Sequence, residues 1–288
     1  MGDGMFSRRF SSVAPRAGHS LGVIDEMHPS MSRSFVVRQS QILGALMMRE
    51  MATRYGRRGL GFLWVVGEPL MFCFGVIVMW IFIRHHNGHG LAVAPFVMTG
   101  YMCLLLLRHS ISFSISAVGS NLGLLYHRAL GPLHFYLARC ILELAGATAA
   151  FIVVYLTLIL FRQVDVPHDW LLLYFGWFLM WIMATGTGFI FSGLATRFEV
   201  MERIVPLLSY AMIPLSGVFF MVDWLPENVR ERYLLVPYPN AIEMIRAGVF
   251  GEFVPTHFNV AYATATAFLL LLIGLVLVKN AEGYIDVE

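Results

Sequence analysis

Six long, nearly charge-free runs of apolar residues decide what this chain can become. Residues 60–83 are interrupted only by Glu68. Residues 94–107 are uncharged, and after Arg108 no charge appears until beyond residue 126. Residues 144–161, 170–196, 204–222 and 259–278 follow in the same manner. A helix needs about 20 apolar residues to cross a hydrocarbon core of roughly 30 Å, and these runs meet that length. Composition agrees: 58% of the 288 residues are hydrophobic, 13% are charged and the mean hydropathy is +0.71. A soluble domain carries about 25% charged residues. The alternating ten-residue pattern of a membrane β-barrel is absent, so the spans are expected to be helical. The expected fold class is therefore an all-α integral membrane protein, with six transmembrane helices near 60–83, 94–116, 140–161, 170–195, 204–222 and 259–278.

Basic residues give the orientation, because loops rich in Arg and Lys stay inside. Nine of the 20 Arg and Lys residues precede the first run. With six spans the same side also receives Arg128, Arg139, Arg197, Arg203 and Lys279. The other side receives Arg84, Arg162, Arg230, Arg232 and Arg246, a division of fourteen against five with Arg108 set aside. Both termini are expected in the cytoplasm. The net charge of +2 is thus a sidedness signal and does not point to nucleic acid. Residues 1–34 lack an apolar signal segment and read as a disordered tail, leaving 35–288 as a single transmembrane domain. Cys73, Cys103 and Cys140 lie in or beside apolar runs, which argues against a disulfide framework.

Residues 39–58 differ from the spans. Leu43, Leu46, Met47, Met51 and Tyr55 recur at helical spacing, with Arg49, Thr53, Arg54 and Arg57 on other faces. This is an amphipathic helix for the cytoplasmic headgroup layer, either a basic anchor or a moving part that senses a partner. Glu50 and Arg54 are spaced as an i,i+4 pair. Between the second and third spans, residues 121–132 read NLGLLYHRALGP. That segment suits a short helix docked on a soluble partner, or a plain connector packed on its own bundle. Arg139 and Glu143 stand one turn apart, so an intrahelical pair can neutralise the carboxylate, which matters because a charge at the bilayer centre costs about 2.5–3.5 kcal/mol. The longest outward loop, 222–257, contains Pro226, which suits the start of a short helix ending at Tyr233. Asn240 with Glu243 suits the cap of a second helix, closed by Gly251. Two short helices between full spans read as re-entrant elements or as a surface hairpin.

The chemistry available to the chain is limited. Its single lysine, Lys279, precedes Asn280, so no phosphate-cradling Gly-x-x-x-x-Gly-Lys-Ser/Thr loop exists. Hydrolase elbows, His-Glu-x-x-His and Cys-x-x-Cys pairs are also missing. No catalytic, cofactor or metal residue is assigned; His85, His86 and His89 read as a solvated loop. Glu68, followed by Pro69, is an intramembrane carboxylate and so a functional candidate, or else a polar contact to a neighbouring helix. Tyr174, Trp177, Phe178 and Trp181 follow i, i+3, i+4, i+7 spacing and form an aromatic stripe. Such faces suit a sliding sugar polymer, and they equally suit packing. Trp64, Trp80, Trp170 and Trp224 fall near span ends as interfacial anchors. Small residues from Ala184 to Gly188 and at Ser192 allow close helix approach.

At Arg49-Glu50, then Tyr55, Leu60-Gly61-Phe62-Leu63-Trp64 and Glu68-Pro69-Leu70, the sequence resembles the membrane subunit of type 2 ABC exporters of polysaccharide. Ser120-Asn121, Leu124, Tyr126, Pro132-Leu133, Ala138-Arg139 and Glu143 extend the resemblance, which covers roughly residues 35–288. Glu-Pro in the first span is most similar to the capsular polysaccharide export branch. The resemblance implies a homodimer in the bacterial inner membrane working with two separate ATP-binding subunits, which hold the ATP and Mg. It implies that Asn121, Leu124, Tyr126, Arg128 and Pro132 couple to the ATPase, and that Arg49, Glu50, Arg54 and Tyr55 belong to an interface helix and gate. A lipid-linked polysaccharide would pass between the two copies, along a path that includes Trp64, Glu68, Tyr174, Trp177, Phe178 and Trp181. Periplasmic and outer-membrane export proteins would continue the route.

Two other readings are kept beside this one. The same architecture suits export of O-antigen or teichoic acid. A polytopic glycosyl- or acyltransferase is a different class and needs convergent polar residues near one membrane face. A passive channel is disfavoured by the absence of pore-lining charge rings.

Overall fold

The computed structural model describes residues 28–55, 61–83, 92–117, 120–121, 131–281 and 283, and among these the regular structure is entirely helical. The chain divides into two compact units, residues 1–41 and 42–288. Of the first, the described residues 28–41 are all helical. Helix α1 runs His28–Tyr55, starting eleven residues ahead of the helix read from the sequence at residue 39. The remaining helices are α2 (Gly61–Ile83), α3 (Val93–Ile115), α4 (Pro132–Leu160), α5 (Trp170–Arg197), α6 (Glu199–Ser216), α7 (Glu227–Tyr233), α8 (Pro237–Phe250) and α9 (Val260–Ala281).

Four of these helices, α3, α4, α5 and α9, are long and apolar enough to cross a membrane. The first expected span is α2, whose apolar stretch is the shorter Val66–Phe82. The fifth expected span, 204–222, resolves into α6, which ends at Ser216 in a left-handed Gly217 (φ +75°). Pro206 and Pro214 lie inside α6, and a proline removes a backbone donor and bends the helix it occupies. The chain then turns through a 3₁₀ segment at Val222–Trp224.

Helix α5 is the hub, packing most extensively on α9 and then on α3 and α8. The small residues expected to permit close approach do so. A Cβ on Gly186 would stand 2.5 Å from Leu271 N, and one on Gly274 would stand 2.7 Å from Gly186 O. Neither separation is physically available, so the α5–α9 seam depends on backbone meeting backbone.

Helix α8 is buried along its length from Tyr238 to Val249. The sequence places its start at an Asn240 cap; the structure starts it at Pro237, at the first-turn position where proline loses nothing. Asn240 is instead inside the helix. Its Nδ2 donates to Leu234 O (2.9 Å) and Val236 O (3.2 Å), and its Oδ1 accepts from Asn259 N (2.9 Å). One side chain thereby ties the α7–α8 corner to the start of α9. Gly251 does close α8, at φ +63°.

Candidate functional site

Two buried polar nodes lie at opposite ends of the bundle. The first joins the second half of α1 to α3 and α4. Leu46 packs with Phe135 and Ala138 of α4, bringing the α1 face against the start of that helix. Beside this contact Arg139 Nε lies 2.8 Å from Glu50 Oε1, and both residues are buried. Arg139 Nη1 donates to Phe113 O (2.6 Å) and Ser116 Oγ (2.9 Å), and Nη2 donates to Ser120 Oγ (2.6 Å). One guanidinium therefore gathers α1, the end of α3 and the turn after it.

Asn121 is also buried; it accepts from Arg49 and donates to Ala117 O at 2.8 Å. Deeper in the same region Glu143 Oε2 stands 3.4 Å from His109 Nδ1. Spacing within one helix did not point to either of these contacts. Arg139 meets Glu50 across the α1–α4 contact, and Glu143 meets His109 across the α3–α4 contact. Tyr136 Oη and Ser192 Oγ (2.7 Å), with Ser192 donating to Ser114 O (2.9 Å), bring the Arg197 end of α5 to the same level.

The second node lies at the other end. Arg246 and Glu243 are both fully buried, with Arg246 Nη1 3.2 Å from Glu243 Oε1. Arg246 donates to Phe220 O (2.8 Å), Gly217 O (3.2 Å) and Val218 O (2.8 Å), and its guanidinium carbon sits 4.6 Å from the Phe96 ring centre. Glu243 accepts from Val222 N (3.4 Å) and His257 N (3.3 Å). This pair stitches α8 to the turn after α6 and to the segment before α9. A buried pair is stable only when its remaining hydrogen-bonding groups are met, and backbone groups meet them here. Tyr233 Oη donates to Pro214 O (2.9 Å) and Leu215 O (3.1 Å) beside this node, and burial raises its phenol above the ordinary range. Arg246 entered the sequence reading only as a loop charge. An Arg three residues after a Glu inside an otherwise apolar helix was the available signal.

Some proposed site residues are separated by the structure. Leu124, Tyr126 and Arg128 lie outside the described residues; Pro132 opens α4, and Arg54 and Tyr55 complete α1. Trp64 is exposed on α2, and Glu68 is half-buried beside a buried Pro69.

The aromatic stripe divides. Tyr174 and Phe178 are exposed, whereas Trp177 is buried and donates to Thr148 Oγ1 (2.9 Å), and Trp181 donates to Cys140 O (3.1 Å). Phe151, Tyr155, Trp170, Tyr174 and Trp177 line an apolar cleft of about 270 Å³ between α4 and α5. Trp80 stacks on Phe219 at 5.4 Å, and Phe96 approaches Trp224 at 5.3 Å, so these tryptophans pack within the bundle.

A hub-and-seam helical bundle of membrane-crossing length, with a polar node at each end, defines a polytopic membrane protein. The chain belongs to the ABC-2 type transporter family, whose model matches residues 41–250. It is 38% identical over 255 residues to the capsule polysaccharide export inner-membrane protein CtrC of Neisseria meningitidis serogroup A, covering 88% of this chain and 96% of that protein. It is 39% identical over 242 residues to the capsule polysaccharide export inner-membrane protein BexB of Haemophilus influenzae, covering 84% and 91% respectively. Similarity extends to the polysialic acid transport protein KpsM of Escherichia coli, at 25% identity over 252 residues, with 88% and 98% covered.

Proposed function

We propose that this chain is the membrane-spanning permease of an ATP-driven exporter, moving a lipid-linked capsular polysaccharide from the cytoplasm across the inner membrane. The observation that carries this reading is the nearly end-to-end similarity to proteins named as capsule polysaccharide export inner-membrane proteins. The chain itself transports; a separate pair of ATP-binding subunits hydrolyses ATP, in keeping with a sequence that has no phosphate-binding loop. Two copies form the permease, with six spans each counting α2 and α6, both termini in the cytoplasm, and α7 and α8 dipping in from the outer side. The burial of α8 along its length supports the re-entrant reading over a surface hairpin.

In this orientation the Glu50–Arg139 node lies on the cytoplasmic side and includes Asn121, after which residues 122–130 follow in the chain. The node holds the interface helix and the end of α3 as one body, so a push from the ATPase on that segment reaches α1, α3 and α4 together. Tyr174 and Phe178 offer exposed rings to a polymer, while Trp177 and Trp181 hold the α4–α5 seam. Periplasmic and outer-membrane export proteins receive the polymer. Charge reversal at Arg128 tests the coupling. Arg128→Glu is expected to leave the protein in the membrane and abolish surface polymer, and undiminished surface polymer would refute the coupling role.

A further inference from the structure

Arg108 is used by neither polar node. It lies on α3, seven residues before that helix ends at Ile115, and therefore about 10 Å along the axis from that end. Its Nε is buried without a hydrogen bond, and among the described residues no carboxylate pairs with it. Its guanidinium carbon is held 4.6 Å from the ring centre of Tyr210 on α6. The Cα–Cβ bond of a helical residue tilts towards the helix N-terminus, here the Val93 end, so Arg108 leaves α3 away from the nearer end of the helix. The Ser192–Ser114 hydrogen bond sets Ser192 level with Ser114, so the Arg197 end of α5 extends about 6 Å beyond the Ile115 end of α3, and α6 starts there at Glu199. Tyr210 is eleven residues further on, about 16 Å back along α6, which sets it at about the level of Arg108. The guanidinium is thus held on the Tyr210 ring about 10 Å inside the nearer end of the span, one and a half to two turns from it.

Tyr210 is 58% exposed and Arg108 is partly exposed, so the pair looks out from the surface of the chain. A cation at that depth is costly against acyl chains and is retained where it faces a polar path or meets an anion. Cation–π contact orients the planar guanidinium but leaves its charge uncompensated. The carboxylate at a similar depth on the neighbouring α2 is Glu68, seven residues from Gly61, and no ion pair joins it to Arg108.

We propose that Arg108, seated on the Tyr210 ring, is a binding site for an anionic group of the cargo, a carboxylate or phosphate that serves as the counter-ion no described residue supplies. The proposal rests on the exporter reading and narrows it to an acidic polymer or a phosphate-bearing lipid anchor. Arg108 makes the contact and Tyr210 is a positioning residue. Because the guanidinium is a planar fork, it is matched to an oxyanion in a way that a lysine at this position would reproduce only in charge.

The test uses the full chain in phosphatidylcholine nanodiscs, titrated with a galacturonic acid oligomer, with dodecyl phosphate and with a neutral malto-oligosaccharide. Arg108→Gln is expected to weaken binding of at least one anionic probe by about tenfold, with neutral-sugar binding unchanged. Tyr210→Leu keeps the charge and is expected to weaken the same probe about threefold, Arg108→Lys falling between. Thermal unfolding of each variant separates lost binding from lost folding, and Tyr210→Leu keeps the test decisive if Arg108→Gln does not fold. Loss restricted to the galacturonate oligomer assigns the anion to the sugar chain; loss restricted to dodecyl phosphate assigns it to the lipid. Anion binding unchanged in both folded variants, no anion preference in the wild type, or a change only in oligomeric state overturns the proposal. In cells lacking the gene, the wild-type chain is expected to restore surface polymer and Arg108→Gln to fail. Equal restoration by both overturns the anion site and leaves the exporter reading intact. Surface polymer that never depended on the gene counts against the exporter reading, and the nanodisc titration still decides Arg108.

Discussion

Replacing Glu50 by glutamine isolates what holds the interface helix. The substitution keeps the shape and removes the charge 2.8 Å from Arg139 Nε, in a site where both residues are buried. Stripping one partner from a buried pair costs about 3–5 kcal/mol when the remaining charge is left alone. Arg139 is not left alone, because Phe113 O, Ser116 Oγ and Ser120 Oγ still accept from it. The expected loss is therefore smaller, about 1–3 kcal/mol. At 1.4 kcal/mol per factor of ten, this is roughly a 5- to 150-fold increase in opening of the α1 contact. Hydrogen exchange of the purified protein in nanodiscs reads that opening directly. Exchange should accelerate in residues 42–55 and 113–121 and remain unchanged in α5 and α9. Adding Arg139→Met should give a coupling energy of about 0.5–3 kcal/mol in a double-mutant cycle. Unaltered exchange in residues 42–55, or an equal acceleration throughout the bundle, would refute the idea that this pair latches α1.

Other substitutions follow from the packing. Gly186→Val drives a side chain into the Leu271 backbone, and the α5–α9 seam should open, lowering the midpoint of thermal unfolding and the amount recovered from the membrane. Arg246→Met orphans three carbonyls and should cost more than about 3 kcal/mol, whereas Glu243→Gln should cost about 1–3 kcal/mol; the reverse order in denaturant titrations would mean the guanidinium is not the organiser. Tyr174→Ala with Phe178→Ala removes exposed rings and should slow export with little effect on stability, measured by surface polymer and thermal unfolding. Trp177→Ala should instead destabilise by about 3–5 kcal/mol, since it empties a buried site and strands the Thr148 hydroxyl.

The apolar runs were legible because run length alone decides whether a helix can cross a bilayer, and α3, α4, α5 and α9 follow from it. The fifth was harder. Its uncharged run continues past Ser216, but Pro206, Pro214 and the left-handed Gly217 end the helix sooner and divert the chain. The Asn-x-x-Glu pattern at Asn240 resembled a cap, yet Pro237 was already a sufficient start, so both side chains were released to bind other segments. Ion-pair partners were least legible. Glu50 and Arg139 are distant in the chain, and spacing rules see only neighbours within a turn. The Gly186 approach was legible because only small residues permit such contact. The division of the aromatic stripe was not, since helical spacing gives the face of a helix but not which half of it a neighbour covers.

The central claim is export, and it is tested most directly by locating polysaccharide in cells that lack this gene. Polymer retained in the cytoplasm, and returned to the surface when the intact chain is supplied, is the result predicted. Complete polymer at the surface of the deletion strain, with no second exporter present, would contradict it.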